Sequence, residues 1–364
     1  METNNKPVGK LLKEEPFEIF DSALACVLFI AFNILFVMVV RATKIMSSGS
    51  AIVSFIVQAL VEAVFAAAAL TVAYSRKKSI VYGAGMNKKV NWKIVGWCFL
   101  ASLVSLIGFG NLTNVFLEFL QYFGYSSILG NIEINTFWQY LGYVISSCAI
   151  AAFCEELLFR GVIESGFKKW GIKVAVGFSA LIFMLMHGNA EQTVHQFIVG
   201  VIVGYVFYKT NNLWLGVLIH AFNNFIPITQ AYLLSFIETT ETVSTTVTIG
   251  LGTILIDLVI AVAVAWAGFY FISLILKQII KENDKINKQE TEENLASIKV
   301  DGDEQNVEIS IDGGKVIEGE EYKTASATKP EKPKVPAAAI VMFTIAGLYL
   351  IGEWLIYTIY GFLQ

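Results

Sequence analysis

The feature that most constrains this chain is a series of nine apolar runs, at residues 23–40, 51–74, 92–112, 137–159, 174–187, 192–208, 213–234, 249–276 and 337–362. A helix needs about 20 apolar residues to cross the hydrocarbon core of a bilayer, and most of these runs reach that length. Only 15% of the 364 residues are charged and 55% are hydrophobic, whereas soluble domains carry roughly 25% charged residues. A water-soluble fold of this size could not hide so much apolar surface. The expected fold is all-α, a polytopic transmembrane bundle of about eight to nine spans with the lipid bilayer as its solvent.

Basic residues set the expected orientation, because loops rich in Lys and Arg stay on the cytoplasmic side. Lys6, Lys10 and Lys13 precede the first run, and Arg76, Lys77, Lys78, Lys88, Lys89 and Lys93 fill the second loop. No Lys or Arg occurs between Lys93 and Arg160, which places the loop around 111–136 outside. Arg160, Lys168, Lys169 and Lys173 bring the chain back, and Arg41 and Lys44 are the exceptions. The N-terminus is therefore expected in the cytoplasm. The first run lacks a small-residue cleavage site and reads as a retained helix. A net charge of −4, with basic residues confined to loops, offers nothing to nucleic acid. Lys-, Asn- and Ile-rich usage with only three histidines suits a low-GC bacterium, so the expected location is a bacterial cell membrane.

The expected divisions are an N-terminal segment 1–21, transmembrane helices over 22–135, a core over 136–236, a further helix over 237–276 and a final helix over 337–364. The intervening 277–336 is polar and reads as a mostly disordered cytoplasmic linker. Alternation of Ile and Val with polar residues over 296–317 also permits a small β-element there. Cys26, Cys98, Cys148 and Cys154 lie in apolar stretches without metal-type spacing and read as small core residues.

An ionisable residue inside a span is expensive and usually functional. Glu155 and Glu156 are adjacent, so they point about 100° apart on a helix. Arg160 follows Glu156 by four residues, the favourable order for an ion pair. Glu156 is then either clamped by Arg160 or serves as a second carboxylate, and Glu155 faces a cavity as a candidate base. The alternative is a helix end where charges meet headgroups. His187 closes the fifth run, and a lone histidine there could equally be a structural hydrogen-bonder. His220 and Asn224 share a helix face, with Asn223 on the next, and could serve as a site or as interhelical polar glue. His195 has no motif partner and reads as structural. Glu62 and Asp257 are also intramembrane, and each could pair within the bundle or line a wet path. Gly200, Gly204, Gly216 and Ala221 would permit close helix approach.

Together the stretches Glu155-Glu156-x-x-x-Arg160, Phe183-x-x-x-His187 and His220-x-x-x-Asn224 resemble the motifs of the CAAX prenyl protease type 2 and bacteriocin-processing (CPBP, Abi) family. The resemblance covers the 136–236 core. It implies an intramembrane endopeptidase acting on a peptide or membrane-anchored protein. In that reading Glu155 activates a water, His187 holds or polarises it, His220 and Asn224 form the oxyanion hole, and Arg160 orients Glu155 and Glu156. No cofactor is required. HExxH is absent, but two histidines and a glutamate from separate helices could bind zinc, and the ligands would then be Glu155, His187 and His220. The competing expectations are a non-catalytic immunity or scaffold protein that retains the motif, and a proton-coupled transporter.

Overall fold

A computed structural model of the chain describes residues 15–129, 134–237, 250–300, 310–312, 315–317 and 334–364. Among the described residues nine long helices dominate: α1 (Ile19–Thr43), α2 (Ala51–Ser75), α3 (Trp92–Tyr122), α4 (Phe137–Trp170), α5 (Ile172–Met186), α6 (Thr193–Thr210), α7 (Leu213–Leu234), α8 (Leu251–Val300) and α9 (Ala337–Leu363). Each covers one of the apolar runs. Six of them, α1 to α4, α8 and α9, are long and apolar enough to cross a membrane. Helix α5 is too short, at 15 residues. Helices α6 and α7 fall outside the set because His195, Gln196, His220, Asn223 and Asn224 dilute their hydropathy.

Local chemistry explains most helix ends. The Asp21 carboxylate accepts from the Glu18 backbone N–H (2.8 Å) at the capping box that opens α1. Asn91 caps α3, and Thr136 with Gln139 caps α4. Gly171, at φ 87°, separates α4 from α5. Helix α4 is irregular inside: π-helical turns over Val144–Ala151 and Leu157–Glu164 flank the short α-helical stretch Ala152–Glu156. Such wide turns concentrate at functional sites.

Two sequence expectations are corrected. Helix α4 runs on to Trp170 instead of stopping near residue 159, which moves Glu155 and Glu156 away from a helix end. Helix α8 continues to Val300, so the first part of the 277–336 linker is helical. Ion pairs carry it there: Lys285 with Glu282 (2.5 Å), Lys288 with Glu292 (3.9 Å) and Lys89 with Glu290 (3.1 Å). Asn283 also accepts from Asn212 Nδ2 (3.0 Å). Beyond it, Ser310–Asp312 pairs antiparallel with Lys315–Ile317, the small β-element that the alternation permits. The rest of the linker expectation, at 301–309, 313–314 and 318–333, lies outside the described residues, as do 1–14 of the N-terminal segment.

The helices bury two large apolar cores, with smaller clusters around Val115 and Ile134. One joins α1, α2, α4, α5 and α9 through Phe29, Phe65, Phe159, Phe183 and Leu350. The other joins α3, α6, α7 and α8 through Cys98, Val203, Ile219 and Ile275. Helices α3 and α8 cross at glycines; a Cβ on Gly108 would meet Gly268 Cα at 2.8 Å. From Cys154 to Phe167 every residue of α4 is buried; its apolar side chains belong to the first core, and Arg160 reaches the Gly200 carbonyl on α6.

Candidate active site

The polar centre lies where α4 meets α6 and α7. Glu156 and Arg160 are fully buried. Arg160 Nη1 donates to Glu156 Oε1 (2.8 Å), and Arg160 Nη2 donates to the Gly200 carbonyl on α6 (3.0 Å). His220 of α7 donates from Nδ1 to the same Glu156 oxygen (2.9 Å). The guanidinium stacks on Phe183, 4.9 Å from the ring centroid. Glu164, also fully buried, lies one turn further on, 3.9 Å from Arg160 Nε. Missing side chains make this closeness possible: a Cβ on Gly204 would meet Glu164 Oε2 at 2.7 Å, and one on Gly216 would meet Glu156 Oε2 at 3.1 Å. The helix-end alternative for the two glutamates is thus overturned, and Glu156 is the clamped carboxylate.

Glu155 turns the other way, towards α2. It is 6% exposed. Its charged neighbours are Glu62 on α2, Glu156 and Arg160. One turn before Glu62, Gln58 Nε2 donates to Ser147 Oγ (3.0 Å), and Asn224 Nδ2 donates to the Ser147 carbonyl (2.8 Å). Glu155 and Asn224 therefore border one polar seam between α2, α4 and α7.

His187 caps α5, and its Nδ1 donates to the Phe183 carbonyl (2.8 Å), which leaves Nε2 as the ring atom with a lone pair. The Phe183 ring contacts both His187 (centroids 4.9 Å) and His220 (5.7 Å), so the two histidines flank one phenyl group. His195 joins them through Asn223, whose amide lies 2.9 Å from His195 Nε2. Its partner is the asparagine that the His-x-x-x-Asn spacing leaves out.

The structure thus gathers Glu156, Arg160, His187 and His220 around Phe183, with Glu155 and Asn224 on the adjoining seam. Among the described residues no hydrogen bond joins Glu155 to His187 or His220. Sequence reasoning left Glu62, Glu164, His195 and Asn223 outside the site. Signals existed for the first two: a polar pair four residues apart in α2, and an acid four residues after Arg160. Nothing local marks His195 and Asn223, which meet only in the fold. Among the described residues no three His, Cys, Asp or Glu side chains group as a metal site requires.

These features define an integral membrane protein whose apolar helices enclose a charged, hydrogen-bonded cluster at the seam of two cores. Residues 136–226 match the family model described as Type II CAAX prenyl endopeptidase Rce1-like, the family that the three motifs resemble. The match begins at the cap of α4, ends within α7 and contains all seven motif residues; α1, α2, α3, α8 and α9 lie outside it. No curated protein and no solved structure matches the chain.

Proposed function

We propose that this protein is an intramembrane endopeptidase in which Glu155 activates the attacking water. The observation that carries the reading is the convergence of Glu156, Arg160 and His220 from α4 and α7 on one buried carboxylate oxygen, with Glu155 next in sequence and also buried. Glu155 takes a proton from water as the oxygen adds to the scissile carbonyl carbon. His187, its tautomer set by the Phe183 carbonyl, offers Nε2 to hold that water. Asn224 has one amide proton on Ser147 and a second for the oxyanion, and His220 stands one turn before it on α7. Glu156 and Arg160 fix the His220 ring and the pitch of α4. A site walled from bulk water strengthens each of these interactions. No cofactor enters this scheme.

In this reading α5, α6 and α7 complete a bundle of nine membrane helices, with the N-terminus in the cytoplasm. The substrate is a peptide or membrane-anchored protein cut near the cytoplasmic face. The test is the full chain in liposomes with fluorogenic peptides, one ending in a prenylated CAAX sequence and others unprenylated or membrane-anchored. Glu155→Gln should lower the cleavage rate about 100- to 10,000-fold, the worth of a positioned general base, while the protein stays folded. A folded Glu155→Gln protein that cuts as well as wild type ends this mechanism. A phenotype indifferent to alanine at Glu155 and His220 would favour a non-catalytic scaffold, and solute uptake by the liposomes a transporter.

A further inference from the structure

Helices α6 and α8 become charged side by side. Helix α6 carries no Lys, Arg, Asp or Glu before Lys209, and in α8 none occurs between Asp257 and Lys277. Val206 of α6 and Ile275 and Ile279 of α8 share one apolar core. Past Lys277, α8 goes on as a polar helix. Lys277, Lys281 and Lys285 recur every four residues and Lys288 follows three later, so all four stand on one helix face. With Lys209 they line a cavity of about 550 Å3 between the two helices, in which Asp284 is the one acidic lining residue. All five lysines are exposed. The wall they form is tied to the bundle: Asn283 is buried and accepts from Asn212 Nδ2 at the cap of α7 (3.0 Å), and Glu290 meets Lys89 (3.1 Å).

The five lysines are not equivalent. Lys285 pairs with Glu282 (2.5 Å) and Lys288 with Glu292 (3.9 Å). Among the described residues Lys209, Lys277 and Lys281 make no ion pair. Lys281 stands about 6 Å beyond Lys277 along the helix axis, within the roughly 5–7 Å that each layer of lipid headgroups occupies. The unpaired ammonium groups are therefore at headgroup depth, and the paired ones lie further out. Leu274 and Tyr270, three and seven residues before Lys277, are exposed on the same face of α8. One continuous strip thus changes from apolar to cationic where a phospholipid changes from acyl chain to phosphate. Basic pockets between helices at a membrane surface take anionic headgroups. We infer that the α6–α8 cavity binds an anionic phospholipid: Lys209, Lys277 and Lys281 hold its phosphate, and its chains lie along Leu274 and Tyr270. A free phosphate ion would use the lysines alone and leave the apolar half of the strip unexplained.

The test is a titration of the full-length protein, in nonionic detergent micelles, with pyrene-labelled phosphatidylglycerol or phosphatidylcholine, read by energy transfer from its tryptophans. Phosphatidylglycerol should bind more tightly than phosphatidylcholine, and added salt should weaken it. A lysine near an anionic surface is worth about 5-fold in affinity. Lys209→Gln should therefore weaken phosphatidylglycerol about 5-fold, and Lys277→Gln with Lys281→Gln about 25-fold. Asp284→Asn, which removes the one carboxylate from the lining, should tighten it. The double change Lys77→Gln and Lys173→Gln, at exposed positions outside the cavity, should alter it less than about 2-fold. Equal affinity for the two lipids overturns the inference. So does an equal loss in the Lys77 and Lys173 control, which would reduce the effect to general surface charge. Release of the phosphatidylglycerol by inorganic phosphate at constant ionic strength would overturn the lipid assignment in favour of a phosphate-ion site. Binding is read without any substrate, so the result is independent of peptide cleavage.

Discussion

Removing the guanidinium of Arg160 should be the most damaging single change in the bundle. Arg160→Met keeps most of the aliphatic volume over Phe183 but deletes the donors to Glu156 Oε1 (2.8 Å) and to the Gly200 carbonyl (3.0 Å). It also removes the only cation within ion-pair distance of Glu164 among the described residues (3.9 Å). Glu156, Arg160 and Glu164 have no solvent exposure, so water cannot replace the lost partner. Breaking a buried pair by removing one member costs about 3–5 kcal/mol, because the other charge stays desolvated. The assay is equilibrium unfolding of the purified full chain in mixed micelles, followed by the fluorescence of its seven tryptophans. Arg160→Lys should recover part of the loss, since an ammonium on a flexible stem reaches one oxygen but cannot fork. In a double-mutant cycle with Glu156→Gln, the coupling should reach about 2 kcal/mol or more, within the range for contacting pairs. A loss below about 1 kcal/mol, the scale of an exposed pair, would refute the picture of a desolvated clamp.

Other outcomes follow from the same geometry. Gly216→Ala places a Cβ 3.0 Å from Val203 Cγ1 and 3.1 Å from Glu156 Oε2; it should cost about 1–3 kcal/mol as overpacking and slow peptide cleavage by pushing His220 off Glu156, both measurable on one preparation. The Glu191 carboxylate, between α5 and α6, accepts from four groups of the loop after α3: Tyr125 Oη (3.1 Å), Ser127 Oγ (2.6 Å), Ile128 N (2.7 Å) and Leu129 N (3.2 Å). Glu191→Ala should speed hydrogen exchange at the Ile128 and Leu129 amides, because both lose their acceptor. Burial and the Glu191 charge push the Tyr125 hydroxyl up to about 12. Its contribution to stability is therefore complete below about pH 10, the ordinary tyrosine value, and is lost as the pH rises from there through 12. Ultraviolet titration should show one late tyrosine that joins the others in Glu191→Ala.

Among the described residues all nine long helices are legible as apolar runs, and six of them are long and apolar enough to cross a membrane. Their ends are less so. Helix α8 outlasts its apolar run by more than twenty residues because Lys–Glu pairs support a solvated helix, and such pairing looks like a linker when only hydrophobicity is read. In the site, the spacing Glu156-x-x-x-Arg160 foretells the buried pair, and His220 arrives as the third member. The charged neighbour of Glu155 on α2 was not legible in the same way. Glu62 lies 93 positions earlier on another helix, and a lone acid in a span shows that it needs a partner without showing which. His195 and Asn223 were missed for the same reason: their contact belongs to the crossing of α6 and α7, which no local period encodes.

A buried ionic cluster is weak evidence for stability, and that weakness makes it informative here. Glu156, Arg160, Glu164 and His220 sit at the seam of two apolar cores, where Phe159, Phe183, Val203 and Ile219 already supply packing. Replacing a buried ionic set with apolar residues of like volume is often neutral or stabilising by about 1–4 kcal/mol. If the cluster exists to hold the fold, replacing it whole with Glu156→Met, Arg160→Met, Glu164→Met and His220→Phe should cost at least as much as Arg160→Met alone. If it exists for chemistry, the quadruple protein should unfold no more easily than wild type and cleave nothing. The second outcome is expected, because the charges pair with one another, Arg160 with Glu156 and Glu164 and His220 with Glu156: removed together they leave no unpaired charge among the four, whereas removing Arg160 alone leaves two buried carboxylates. The same micelle unfolding assay and the same peptides decide it. A quadruple protein as unstable as Arg160→Met would show that the seam needs its charges to close, and the case for a catalytic purpose would then rest on Glu155 and its neighbours alone.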